Sequence, residues 1–150
     1  MDQPSLKQHL TALQADLMFP ENKQYAEVVV PCEQMHTFCE KLKSDPALQF
    51  DYMISLTAVD WNDHFMEVCH LTSTSLHHIL VVKTKIDREK AEADTVSDIW
   101  KTAEFQEREV FDLFGIRFRN HPDLRRLFLE DDYGFPLRKD FSDESRMIVR

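Results

Sequence analysis

Gly115 and Gly134 are the only glycines among the 150 residues, and this scarcity constrains the fold more than any other feature. Loops that cradle phosphates, and the turn that carries a dinucleotide, need several glycines within a few residues so that the backbone can approach the ligand. Neither pattern can be assembled here, which removes many nucleotide-dependent enzymes. The length predicts a single domain with a real core. With 43% hydrophobic and 30% charged residues, the composition is that of a soluble globular protein. No run approaches the ~20 apolar residues of a membrane span. The opening "MDQPSLKQHL" has neither the basic start nor the apolar stretch of a signal peptide. Membrane contact is therefore expected only through a partner.

A formal charge of −9 argues against nucleic-acid binding, which rests on basic residues. Cys32, Cys39 and Cys69 are odd in number and contain no CxxC, so a reducing compartment without disulfides is expected. The bases are unevenly placed. Residues 1–106 hold eight Lys and one Arg (Arg88), whereas residues 107–150 hold eight Arg and one Lys (Lys139). Lysine suits a solvated surface, and the planar fork of arginine suits buried or interfacial ion pairs. The last third looks built for contact.

Leu6, Leu10, Leu13 and Leu17 recur at helical spacing, predicting a helix that stops before Pro20. "YAEVVV" reads as a strand. Met35, Phe38, Cys39 and Leu42 mark a second helix, and residues 50–61 a second strand that turns at Asn62–Asp63. "FMEVCHLTS" and "HILVVKTKI" follow as a hairpin-like pair, with Leu80, Val82, Thr84 and Ile86 on one face. "REKAEAD" reads as a solvated connection. Thr95 and Asp98 suggest a capping box for a third helix, carrying Val96, Ile99, Trp100, Ala103, Val110, Phe111 and Phe114 to a C-cap at Gly115. The expected fold is α+β: a small mixed sheet of about four strands with helices on one face, over residues 1–116. An extended irregular C-terminal tail, 117–150, follows. It holds too many large apolar residues for a solvated disordered segment, so part of it must lie on the domain or on a partner.

Catalytic signals are weak. Cys69–His70, His77–His78, Cys32 and Cys39 lack metal-ligand spacing, and Cys69 and His70 point to opposite faces of a strand. A nucleophile based on Ser55, Ser73 or Cys69 has no local motif behind it. The acids from Glu130 to Asp132 read as a solvated face. The stretch "EREVFDLFGIRFRNHPDLRRLF" says more. Arg108 lies four residues from both Glu104 and Asp112, and Glu107 falls almost on the apolar stripe, where its carboxylate needs a donor. Arg117, Arg119, Arg125 and Arg126 are the nearest supply. The network either fixes the tail to the helix or crosses to another protein. Pro122 restricts His121, and Asp123 is placed to cap a short turn with Leu124, Leu127 and Phe128 inward and Arg125 and Arg126 outward. His121 is a structural residue in this reading, with general base as the alternative.

"EREVFDLFGI" (107–116), "HPDLRR" (121–126) and "PLRKDF" (136–141), with "LTAVDW" (56–61) upstream, resemble the 30-kDa (C) subunit family of proton-pumping NADH:quinone oxidoreductase, respiratory complex I. Asn120 stands where the family usually has glycine, Ser142 replaces a common second proline, and the residues before Pro136 are fewer. The resemblance implies a non-catalytic subunit of the peripheral arm with no cofactor of its own. FMN and iron–sulfur clusters would be in partner subunits. It would dock on the D-like (49-kDa) subunit, with B- and I-like subunits nearby, on the cytoplasmic side of the inner membrane. Glu107, Arg108, Glu109 and Asp112 would orient the helix end. Arg125, Arg126, Arg138 and Lys139 would pair with acids of the D-like subunit or of the tail, with His121, Pro122, Asp123, Leu137 and Asp140 in the same docking set. The alternative is the equivalent subunit of a membrane-bound hydrogenase or another donor:quinone oxidoreductase.

Overall fold

The computed structural model describes residues 2–130 and 132–141. Helix α1 (Gln3–Leu13) starts where the Asp2 carboxylate accepts the Ser5 N–H at 2.9 Å. It ends four residues before Leu17, which packs on the core from the following loop. Strand β1 (Ala26–Val29) leads through a 3-10 turn at Cys32–Gln34 into α2 (Met35–Ser44). Three long strands follow: β2 (Tyr52–Asp60), β3 (His64–Thr72) and β4 (Ile79–Asp87). The order across the sheet is β1-β4-β3-β2, with β1 parallel to β4 and the other pairs antiparallel, so the expected four-stranded mixed sheet is present. Asn62, at φ 74°, makes the expected turn between β2 and β3.

The period of two along these strands puts one face inside. Met53, Leu56, Phe65, Cys69, Leu71, Leu80, Val82 and Ile86 meet Leu6 and Leu10 of α1 and Phe38 and Leu42 of α2 in one core. The opposite face leaves Tyr52, Ile54 and Val59 exposed. The helices thus lie on one side of the sheet. Helix α3 (Ala103–Phe114) packs along β2 and adds Ala103, Val110 and Phe114 to the core. Its Gln106 side chain accepts the Leu56 N–H, and the Thr102 hydroxyl donates to the Met53 carbonyl at 3.3 Å. Helix side chains therefore satisfy part of a strand edge that would otherwise invite pairing.

Three expectations change. The connection read as solvated contains β5 (Glu92–Asp94), with Ala91 and Ala93 buried, paired in parallel with β6 (Arg117–Arg119). Alternation over three residues is too short to register as a strand when the partner lies far along the chain. It also ties three residues beyond position 116 into the domain. The third helix begins at Ala103 rather than at Thr95, and no capping box joins Thr95 to Asp98. The Thr95 hydroxyl and the Val96 N–H are committed to Glu107, so residues 95–102 form turns instead. Val96 and Trp100 still enter the core, and the Trp100 indole donates to the Phe50 carbonyl at 2.8 Å. Finally, no helical turn follows Asp123 among the described residues.

Candidate docking site

Gly115 adopts φ 78° at the end of α3, the left-handed C-cap expected of it, and Asn120 takes φ 65° at the turn after β6. These two positions fold the chain back over the helix. Its anchor is Asp112, fully buried on α3. The Asp112 carboxylate accepts Arg126 Nε at 2.5 Å, the Phe128 N–H at 2.8 Å and the Leu129 N–H at 3.2 Å. Burial works against this carboxylate, but the Arg126 bond and the two backbone donors outweigh it and hold its pKa below the usual value. Arg126 also donates to the carbonyls of Asp112 (2.9 Å) and Gly134 (2.6 Å), with its guanidinium 5.0 Å from the centre of the Phe135 ring. The arginine expected on the outer side of the turn is thus turned inward, with 8% of its side chain exposed. The reason is Asp112, whose desolvated charge needs a fixed cationic partner.

Arg108 does not bridge acids along the helix. It reaches the carbonyls of Arg125 (3.3 Å) and Arg126 (3.2 Å), pinning the backbone whose side chain Asp112 holds. Glu107, also fully buried, takes no arginine among the described residues. It accepts the Thr95 hydroxyl at 2.5 Å and the Val96 N–H at 2.9 Å. His121 has a fully buried side chain, with Nε2 2.9 Å from the Glu104 carbonyl and Nδ1 accepting the Asp123 N–H at 3.0 Å. Both ring nitrogens are engaged, which fits the structural reading and leaves none for a general base.

Farther along, Leu137 N–H donates to the Leu113 carbonyl at 3.0 Å, and Arg138 Nε to the Phe114 carbonyl at 2.6 Å. The Arg138 guanidinium lies between the Phe65 and Phe135 rings, 5.3 and 4.9 Å from their centres. Lys139 contributes its backbone N–H, to Asp60 at 2.8 Å, and its side chain is exposed. Asp60 is buried and paired with Arg88, whose other nitrogen reaches Asp140 at 3.1 Å. Asp60 and Arg88 were absent from the expected set. Arg88, the one arginine before residue 107, was the available signal, since a lone fork among lysines marks a fixed ion pair.

The expected residues therefore divide. Glu107, Arg108, Asp112, His121, Arg126 and Arg138 form an internal lock, while Glu109, Pro122, Asp123, Arg125, Leu137, Lys139 and Asp140 face solvent. Arg125 keeps only a local bond to Asp123, at 3.0 Å. Among them stand Phe105, Phe128 (74% exposed) and Leu137. A shallow cavity of about 400 Å³ opens between α3 and the tail, lined by Phe111, Arg117, Leu124, Arg125 and Phe135. Apolar anchors ringed by charges, on a backbone fixed from beneath, have the composition of a protein-binding surface.

Chemistry has less support. Among the described residues no group of three His, Cys, Asp or Glu is placed to hold a metal ion. Burial pushes the Cys39 and Cys69 thiols well above their usual pKa and Cys32 to about 11, so none is an activated nucleophile. Ser55 Oγ lies 3.2 Å from His70 Nδ1 on the open face of the sheet, with the Tyr25 ring edge-on to the imidazole. No acid orients that histidine in the manner of a catalytic triad among the described residues.

Residues 28–146 match the family described as respiratory-chain NADH dehydrogenase, 30 Kd subunit. The chain is 50% identical over 126 residues to the C/D subunit of the NADH-quinone oxidoreductase of Phocaeicola vulgatus, covering 82% of this chain and 24% of that protein. It is 38% identical over 137 residues to the C subunit of the Moorella thermoacetica enzyme, covering 89% of this chain and 91% of the other. It spans 63% of a C subunit from Rhizobium meliloti and about a quarter of the C/D proteins it matches. Among solved structures it resembles a chain of an archaeal respiratory complex, the membrane-bound sulfane sulfur reductase. That match has a TM-score of 0.80 and 28% identity over 95% of this chain and 87% of the other. It also resembles a trypsin-resistant fragment of Nqo5, with a TM-score of 0.69 and 28% identity over 83% of this chain and all of that one.

Proposed function

The chain belongs to the respiratory-chain NADH dehydrogenase 30 Kd subunit family, and we propose from that premise that it is a non-catalytic structural subunit of a proton-translocating NADH:quinone oxidoreductase. In this reading it sits in the peripheral arm on the cytoplasmic side of the membrane. It docks on the D-like subunit, with B- and I-like subunits adjacent, while FMN and the iron–sulfur clusters are held by partners. The observation that carries the reading is the division of the arginine-rich tail. Arg108, Arg126 and Arg138 lock it from below, so that Phe105, Arg125, Phe128, Leu137 and Lys139 are presented in fixed positions. Preorganisation of that kind lowers the entropy cost of binding. Relatives named as C/D proteins agree with the proposed partner, because in them the two parts share one polypeptide. No helix among the described residues is long and apolar enough to cross a membrane, so membrane attachment in this reading goes through the complex.

The test is extraction of native membranes in mild detergent, pulling on an N-terminal tag and identifying what co-purifies. D-, B- and I-like subunits with NADH:quinone activity are expected. Arg125→Glu with Phe128→Ala should reduce assembled complex several-fold while leaving turnover per assembled complex unchanged. Normal assembly with a large fall in turnover would refute the scaffold role. A second reading, a donor other than NADH, is favoured by the likeness to the sulfane sulfur reductase chain. Co-purification with a nickel- or sulfur-reducing subunit in place of an NADH-binding one would select it.

A further inference from the structure

Beneath the lock lies a buried carboxyl that neither the fold nor the docking surface requires. Glu67 occupies the middle of β3 on the inner face of the sheet and is fully buried. Among the described residues, no element packed around it offers it a cation. On its own strand the Cys69 thiol donates to Oε1 at 3.8 Å. Thr84 faces it in register on β4, but that hydroxyl is committed to the Val30 carbonyl at 2.8 Å. Ala58 is its neighbour on β2. Cys39 of α2 and Cys32 of the 3-10 turn are close enough to feel its charge, and Glu107 approaches from α3. Arg119 acts on Cys32 but is engaged by Asp94 and Glu92 at the surface. Asp98 and Glu104 add negative charge around Glu107, whose one potential cation among the described residues is His121 Nε2 at 3.8 Å. Glu67 Oε2 has no hydrogen-bond partner among the described residues.

An ionised carboxylate without a partner in such a place costs several kcal/mol, whereas a neutral acid costs far less. Two buried carboxylates that feel one another's charge without a cation between them do not both ionise readily, and the one with more hydrogen-bond donors ionises first. Here that is Glu107, with its hydroxyl and N–H donors.

We propose that Glu67 is a proton-binding site, held as the neutral acid in the folded chain, and that release of its proton to solvent loosens the seat of α3 on the sheet, the helix that in turn carries the His121 segment. Burial first, and the charge of Glu107 second, push the Glu67 pKa to about 8, while burial pushes Glu107 to about 7. Both folded values lie above the unfolded ones. The associated stability is therefore complete below the ordinary carboxylate range and is lost as pH rises through about 7 to about 8. The site belongs to the chain itself, whichever complex that chain serves.

The test uses the full chain. Infrared spectra of the wild type near neutral pH should contain protonated-carboxyl absorption with a component that disappears with a midpoint near 8, and Glu67→Gln should lack that component while keeping the Glu107 component that titrates near 7. Between about pH 6 and about pH 9 the wild-type melting temperature should fall by roughly 5–10 °C, and that of Glu67→Gln by less than half as much. Exchange of the Val96 and Asp123 amides, which are bonded to Glu107 and His121, should rise over the same range beyond its intrinsic base catalysis. If Glu67→Gln does not fold, Glu67→Met supplies an apolar side chain of similar length for the same comparison. A wild type without the Glu67 component at about pH 6.5, or pH slopes unchanged in the folding variant, would overturn the proposal.

Discussion

Replacing Gly115 by Ala tests whether the tail is seated as tightly as its geometry implies. The backbone there has φ +78°, which costs a residue with a Cβ about 1 kcal/mol. The new Cβ would also lie 2.7 Å from two carbons of the Phe135 ring and 2.8 Å from a terminal nitrogen of Arg138, so both must move. Both are held where they are, since Phe135 is flanked by the guanidinium groups of Arg126 and Arg138, and Arg138 is bonded to the Phe114 carbonyl. Losing that charge-assisted bond costs roughly 1.5–3 kcal/mol, and the cation–aromatic contact adds a fraction more. The expected total is about 3 kcal/mol of unfolding free energy by urea titration, a sizeable part of what a domain of this size possesses. Amide exchange should locate the damage at Leu137 and Lys139, whose N–H groups reach Leu113 and Asp60, while β3 and β4 stay protected. Gly134→Ala is the control. Its backbone is also left-handed, at φ +96°, but among the described residues its Cβ meets only the Phe141 ring edge at 3.2 Å, so a loss nearer 1 kcal/mol is expected. If Gly115→Ala costs no more than that control and leaves Leu137 protected, the close-packing argument is wrong.

Asp112→Asn keeps the shape but removes the charge that Arg126 and two backbone donors compensate, and should cost about 2–3 kcal/mol by chemical denaturation. The Asp112 pKa is lowered on folding, so its stabilisation is present above the unfolded value and lost as pH falls through the folded one. The variant should accordingly have a flatter acid limb below about pH 4. His78 predicts loss of stability at a higher pH. Its ring is buried, with Nε2 2.6 Å from the Leu48 carbonyl and no partner for Nδ1 among the described residues, and burial lowers its pKa. The neutral form is favoured in the folded state, so stability falls as pH drops below about 6.5 through the folded value. His78→Gln should remove that component of the melting curve, and an unchanged curve would exclude the assignment.

How far the sequence revealed this molecule follows from the range of each interaction. Leu80, Val82, Thr84 and Ile86 alternate over enough residues to declare both strand and face, and Gly115 declares the helix end, because those signals are local. The Ala93 strand and the turns from Thr95 were hidden because each depends on a partner far along the chain: β6 in one case, Glu107 in the other. At the candidate site the residue types were legible, and their directions were not. Arg126 and Arg125 are adjacent and chemically identical, yet one is buried against Asp112 and the other faces water. No periodic rule separates them in a segment without regular structure. Asp112, four residues from Arg108 at an ideal helical spacing, turned instead toward a fork fourteen residues away, because only that partner satisfies a fully buried carboxylate.

That buried acid also sets the order in which the chain can be completed. Asp112 emerges during synthesis before Arg126, and Asp60 well before Lys139, so the main sheet and α3 can collapse while their acceptors still wait for donors. An uncompensated Asp112 keeps the end of α3 in water until the following residues arrive. The exposed Phe128 and Arg125 therefore acquire fixed positions only once Arg126 has reached Asp112, and under the proposed function a partner that reads those positions meets a folded α3 rather than a nascent one.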